Sequence, residues 1–408
     1  MTIVSSVIFR KGLNLQHAVA GQLADDYHSA AVEQIKASGY THRSGRLTVR
    51  LAREFGFCYG VDRAVDYAYQ TRLKFPDRPV YLTGEIIHNS HVNEKLRAAG
   101  IRFLSDPDAH ADRLGSEAVV ILPAFGVTIA ELARYERQGC TLVDTTCGSV
   151  LNVWKNVKRY ARDGFTAVIH GKVHHEETQA TASQALHYPN GRYLVLLDRA
   201  AALTVCDYIR GRTDPAVILA RFKNATSVDF DPDRDLQRIG LANQTTMLMS
   251  ESLEIGELFR QAMIDRYGEH ELADRFRAFD TICSATQDRQ DAVEALLGEH
   301  RFDLMIVVGG YNSSNTRNLA RICVERVPTY HIADAACVVS PTELRHRPVD
   351  MNHRGPSALG SGTDEAITRE WLPSGGPVSI GLTAGASTPN TIIGPVIERL
   401  EQCTAEAP

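Results

Sequence analysis

From Leu47 onward the chain alternates short apolar runs with segments whose apolar residues recur at helical spacing. "AVVILPAFG" precedes "VTIAELARYERQG", "TAVIHGK" precedes "HEETQATASQAL", and "LMIVVGGYNSSN" precedes "TRNLARICVER". Continuous apolar strands belong in sheets covered on both faces, and their alternation with helices makes those sheets parallel. The pattern therefore predicts an α/β fold. Residues 1–46 stand apart as an N-terminal extension: "HAVAGQLADDYHSAAVEQIKASGY" has helical spacing, and Gly39 with the polar "THRSGR" ends it. The Gly/Pro/Ser-rich stretch 344–376 reads as an inserted surface excursion, and 397–408 as a C-terminal tail.

Within this alternation one supersecondary context recurs, though its letters do not. "RLTVRLAREFGFCYGVDRAVDYAY", "CTLVDTTCGSVLNVWKNVKRYARDG" and "FRAFDTICSATQDRQDAVEALLGEH" each run strand, turn, helix, with Cys58, Cys147 or Cys283 at the turn. Ligands of open α/β sheets bind at the carboxyl ends of strands, and helix N-termini favour anionic sulfur. Cys140, Cys206, Cys323, Cys337 and Cys403 lack this setting. The expected organisation is three similar modules, 60–147, 148–282 and 283–396, with 47–59 completing the last. In a pseudo-threefold arrangement each of the three strand–turn–helix contexts offers one thiolate to a common centre.

Composition narrows the classes. A chain of 408 residues exceeds what one core usually serves. A net charge of −5 leaves no basic excess to neutralise phosphates, which argues against a general nucleic-acid binder. No apolar run reaches the roughly 20 residues of a membrane span. The first residues lack the apolar core and cleavage site of a secretory signal. Eight scattered cysteines are then expected as reduced thiols in a cytosol-like compartment, cytoplasm or plastid stroma.

Structural zinc sites use local pairs such as CxxC, and none occurs. Three lone thiolates fit a cubane iron–sulfur cluster with one iron left open as a Lewis acid. Spacing alone does not decide between that cluster and three unrelated thiols. Polar motifs beyond the strand ends add weight. They are "GEIIHNSHV" with His88, "VIHGKVHHEET" with His175 and Glu177, and "GLANQTTMLMSES" with Gln244 and Thr245. "VVGGYNSSNTRNL" adds Ser313, Ser314 and Asn315, and "GLTAGASTPN" adds Ser387. Such turns bind phosphate oxygens through backbone and hydroxyl donors. Singly each has an ordinary reading: a core histidine, a helix N-cap, a dipole-favoured glutamate.

Taken in order, "GFCYGVDRAV", "GEIIHN", "VDTTCGSV", "HHEET", "NQTT", "DTICSATQDRQ", "GGYNSSNT" and "GLTAGAST" resemble the 4-hydroxy-3-methylbut-2-enyl diphosphate reductase family over roughly residues 47–396. The resemblance implies three α/β modules around a [4Fe–4S] cluster with three irons on Cys58, Cys147 and Cys283. The fourth iron takes the substrate's allylic hydroxyl. It implies that His88, His175, Ser313, Ser314, Asn315 and Ser387 hold the diphosphate, with Gln244 and Thr245 also contacting substrate. Glu177 becomes the proton source, working with Thr245 and beside His175. The implied reaction is reductive dehydroxylation to isopentenyl and dimethylallyl diphosphate, the last step of the methylerythritol phosphate route. The implied electron donor is ferredoxin or flavodoxin.

Two departures stand out. Many bacterial members carry a histidine in an "AHG"-like motif where this chain has "LPAFGV", with Phe125 at the place. One diphosphate donor is then missing, or another group replaces it. Tyr59 follows the first cysteine where a smaller residue is common, and is expected to cover one side of the cluster. The "LPAFGV" stretch, "TTCGSVLNVWK", the extension and the late insertion resemble the plant and cyanobacterial branch. A non-redox [4Fe–4S] dehydratase would need a carboxylate-binding arginine that the motifs do not supply. An iron–sulfur or phosphate sensor would need an effector domain, and residues 1–46 are too short and too unbasic for an obvious one.

Overall fold

The computed structural model describes residues 7–279, 281–349 and 365–407. Its chain divides into two compact units, one of residues 1–10 and 104–283, the other of 11–103 and 284–408. Both are α/β with mostly parallel strands.

In the first unit, Ile239–Asn243 lies between Thr166–His170 and Phe276–Ala278, and Tyr193–Leu196 extends the sheet beyond Thr166–His170; every pairing is parallel. The strands Thr166–His170 and Ile239–Asn243 are buried at every position, as continuous apolar runs predict. The helix Gly148–Arg162 lays Val150, Val153, Val157 and Tyr160 inward at helical spacing. Tyr160 fits because Gly240 has no side chain: a Cβ there would stand 2.4 Å from the ring. Its hydroxyl, buried, donates to the Leu241 carbonyl at 2.8 Å. A second parallel set in this unit pairs Val119–Leu122 with Thr141–Asp144, and Thr141–Asp144 with Ile8–Phe9.

The second unit holds a five-stranded sheet in the order Thr329–Ile332, Leu304–Val308, Val378–Ala384, Leu47–Leu51, Thr41–Ser44. The last strand is antiparallel and the rest are parallel. Val80–Leu82 pairs in parallel with Arg102–Phe103. Residues 11–46 contribute a few side chains to this unit's core. Val32 and Ile35 pack with the sheet residues Val49, Ile306 and Leu382. The single helical stretch expected there is two helices, Gln16–Tyr27 and Ala30–Ala37. Ser29 divides them, its hydroxyl accepting from the Val32 N–H, because a serine at that position serves better as an N-cap than as a helix interior.

The 344–376 stretch is partly strand. Glu343–His346 pairs antiparallel with Val338–Ser340 and with Ala366–Arg369. The middle of that stretch, residues 350–364, lies outside the described residues.

Candidate active site

The eight cysteines fall into two groups by exposure. Cys140, Cys206, Cys323, Cys337 and Cys403 are buried, whereas Cys58, Cys147 and Cys283 are half-buried. Burial pushes the thiols of Cys206 and Cys323 up to about 12, so both are held as neutral apolar side chains. The other three share one local design. Cys58 is the N-cap of Tyr59–Lys74, Cys147 is the N-cap of Gly148–Arg162, and Cys283 directly precedes Ser284–Glu299. Each cysteine N–H donates to a carbonyl just past a neighbouring strand: Cys58 to Ala386 (3.2 Å), Cys147 to Ala124 (2.8 Å), Cys283 to Thr245 (3.3 Å). The sulfur thus sits at the positive end of a helix on a pinned backbone, which suits a thiolate ligand to iron. The donor set fits an iron–sulfur group better than zinc, since each thiol comes from a different turn.

The first unit gathers the residues expected to handle protons. Glu177 lies in the first turn of Glu176–Ala185 and is only 2 % exposed. One carboxylate oxygen accepts from the Thr245 N–H at 2.6 Å and the other from the Thr245 hydroxyl at 3.0 Å. A buried carboxylate is costly without such donors, so these two bonds hold Glu177 in one orientation. His175 caps the same helix, its Nδ1 accepting from the Glu177 N–H at 3.2 Å. Gln244 is fully buried, and its amide is engaged with the Lys172 N–H (3.1 Å) and the hydroxyls of Thr178 (3.2 Å) and Thr246 (2.8 Å). That engagement fixes the turn that carries Thr245.

Phe125 is buried and packs edge-to-face on the His175 ring, with centroids 6.1 Å apart. It supplies no hydrogen bond through its side chain and instead orients the histidine.

The second unit gathers the residues expected to bind diphosphate. His88 precedes the helix Ser90–Ala98, whose N-cap is Asn89. Ser313 caps the helix Ser314–Val324 and accepts from the Thr316 N–H at 3.3 Å. Asn315 accepts from the Ala386 N–H at 2.9 Å, and so ties that helix start to the Ser387 turn. The Ser387 hydroxyl donates to the His88 carbonyl at 3.3 Å and lies 3.5 Å from the Ser313 hydroxyl. His88, Ser313, Asn315 and Ser387 are therefore neighbours, and Ser314 opens the same helix. Tyr59 is 83 % exposed and borders an open cavity of about 480 Å³ with Tyr27, Phe57 and Tyr67.

Arg289 lies within "DTICSATQDRQ", where the sequence pattern gives it no role. It is 4 % exposed, and its guanidinium donates to the carbonyls of Gly56 (2.7 and 3.2 Å), Phe57 (3.1 Å) and Ala285 (2.7 Å). It braces the turn before Cys58, where Gly56 adopts φ +76°. Burial pushes the Asp62 carboxyl in the next helical turn above its ordinary value, against the opposing pull of His28 and Arg289.

The LytB protein family matches residues 49–401 of the chain. The chain is 47 % identical over 399 residues to the 4-hydroxy-3-methylbut-2-enyl diphosphate reductase of Gloeobacter violaceus, covering 96 % of this chain and 91 % of that one. It is 44 % identical over 394 residues to the enzyme of the same name from Thermosynechococcus vestitus, covering 96 % and 93 %. The solved structure of E-1-hydroxy-2-methyl-but-2-enyl-4-diphosphate reductase from Plasmodium falciparum matches with a TM-score of 0.58 at 20 % identity, over 86 % of each chain. That last likeness concerns the fold. No helix among the described residues is long and apolar enough to cross a membrane.

Proposed function

This chain belongs to the LytB protein family of iron–sulfur reductases and converts 4-hydroxy-3-methylbut-2-enyl diphosphate to isopentenyl and dimethylallyl diphosphate; we propose that Cys58, Cys147 and Cys283 hold its cluster as [4Fe–4S] with one open iron. The observation that carries this assignment is the contrast among the thiols: these three are accessible at helix starts, and the other five are buried. The modules 60–147, 148–282 and 283–396, the last completed by 47–59, belong to the same proposal. Each ligand stands where one of them gives way to the next, past the last strand of one and at the first helix of the next.

When bound, the cluster supplies electrons and a Lewis-acid iron for the allylic oxygen. The remaining work falls to side chains. The reaction breaks a carbon–oxygen bond, takes up two electrons and two protons, and releases water. Hydroxide leaves poorly, so a proton must reach that oxygen as the bond breaks. Glu177 provides it. Its bonds to Thr245 fix the carboxyl, and the Thr245 hydroxyl, able to donate and accept at once, relays the proton to the leaving oxygen. The second proton ends on carbon.

His88, His175, Ser313, Ser314, Asn315 and Ser387 bind the diphosphate, with Gln244 shaping the Thr245 turn. None of these is Lys or Arg. Anion binding then rests on hydroxyl and amide donors, the imidazoles, and the N-terminus of the helix Ser314–Val324. Phe125 removes one donor from this set and rigidifies His175.

The electron donor is ferredoxin or flavodoxin, and the site of action is the cytoplasm. Anaerobically reconstituted protein is expected to yield both products when given reduced ferredoxin or reduced flavodoxin. Turnover with a viologen but with neither protein would remove the donor assignment. No product with any reductant would remove the cofactor and site assignment as a whole.

A further inference from the structure

Glu85 lies in the turn between the strand Val80–Leu82 and the helix Ser90–Ala98, three residues before His88. One of its carboxylate oxygens contacts two groups from distant parts of the chain. His88 Nδ1 lies 2.8 Å from it, and the Asn312 side-chain amide donates to it at 3.0 Å. A single oxygen thus joins the His88 turn to the turn that enters the helix Ser314–Val324.

The two turns also meet through their backbones. A Cβ on Gly310 would stand 2.3 Å from the His88 carbonyl oxygen, so only glycine allows this approach. The Ser387 hydroxyl donates to the same carbonyl. The join therefore lies within the group of residues assigned above to the diphosphate.

A carboxylate close to a diphosphate is repulsive unless donors occupy it. Here both contacts supply them. A carboxylate on one ring nitrogen of a histidine also fixes which nitrogen carries the proton there, and so which one faces the ligand. We propose that Glu85 is the positioning residue of the diphosphate site. It accepts a hydrogen bond from His88 Nδ1, leaving Nε2, protonated when the diphosphate is bound, to donate to a phosphate oxygen, and it holds Asn312 so that the Gly309–Ser313 turn stays closed on His88. This rests on the reading of His88 as a diphosphate ligand.

Glu85→Gln is the informative variant because it keeps the volume. An amide offers either a donor or an acceptor to Nδ1, so the histidine's tautomer is no longer fixed. The expected result is a KM for the diphosphate substrate raised roughly tenfold or more, with kcat within a few-fold of the parent. The inhibition constant of inorganic pyrophosphate should rise in parallel, and the visible and EPR spectra of the cluster should stay unchanged. Asn312→Ala should raise KM less, and the double variant should fall short of the sum of the two effects, since both act through one oxygen. Unchanged KM and pyrophosphate inhibition in Glu85→Gln would overturn the proposal, as would a loss confined to kcat. His88→Ala separates the two levels. If it raises KM while Glu85→Gln does not, the role of Glu85 falls and the diphosphate reading stands. If neither variant raises KM, the diphosphate reading itself fails.

Discussion

Glu177→Gln is expected to retain the full iron–sulfur content and lose most turnover, by about 10²- to 10⁴-fold in kcat, the usual contribution of a positioned acid. The geometry explains why this variant isolates chemistry from folding. Glu177 is 2 % exposed and both of its oxygens face Thr245. The glutamine oxygen can keep the bond from the Thr245 N–H. Its NH₂ can face the Thr245 hydroxyl, which rotates to accept. The packing survives and the ionisable proton is gone. Glu177→Ala is a poorer test, because it leaves the buried Thr245 N–H without an acceptor and mixes stability with catalysis. Substrate reduction by Glu177→Gln at the parent rate would show that the proton comes from elsewhere.

The second large effect concerns the thiols. Cys283→Ser should lose the cluster, seen as loss of bound iron and of the brown absorbance after anaerobic reconstitution. Cys206→Ser should keep both. Cys206 is fully buried in the apolar core of the first unit, among Ala167, Val195 and Phe259. A hydroxyl there has no polar environment, and the variant should be destabilised by about 1–3 kcal/mol while its iron content is unchanged. Cys283 is half-buried at a helix start, where serine is sterically harmless. The two substitutions thus separate metal binding from stability in opposite directions. Equal iron in the two proteins would contradict the ligand assignment.

The parts of this site legible in the sequence are those carried by local pattern. The strand–turn–helix context of Cys58, Cys147 and Cys283 is readable from apolar runs and helical spacing alone, and each cysteine stands at a helix start. The Ser313 cap and the position of Glu177 in the first turn of its helix are local in the same sense. What pattern does not carry is pairing over distance. Glu85 and Asn312 are 227 residues apart, and nothing in either turn names the other. The spacing of Glu85 to His88 within "GEIIHN" was a signal, since a carboxylate three residues from a histidine can reach its ring. Arg289 sits on the helix Ser284–Glu299, and an arginine in a helix is ordinarily solvated. Only the carbonyls it meets, more than 230 residues earlier in the chain, make it structural. Phe125 reads as a lost donor in sequence, and its packing on His175 depends on a tertiary contact. The joining of residues 1–10 with 104–283 in one unit has no local signature, because a two-residue strand, Ile8–Phe9, makes the link.

In the proposed assignment, three thiolates hold a cluster whose fourth iron is open to the substrate's hydroxyl. Mössbauer spectroscopy of the anaerobically purified protein, before and after adding 4-hydroxy-3-methylbut-2-enyl diphosphate, addresses it most directly. The expected spectrum has one iron distinct from three others, with substrate shifting the parameters of that iron alone. A protein that stays colourless and iron-free after anaerobic reconstitution, or four equivalent irons indifferent to substrate, would contradict it.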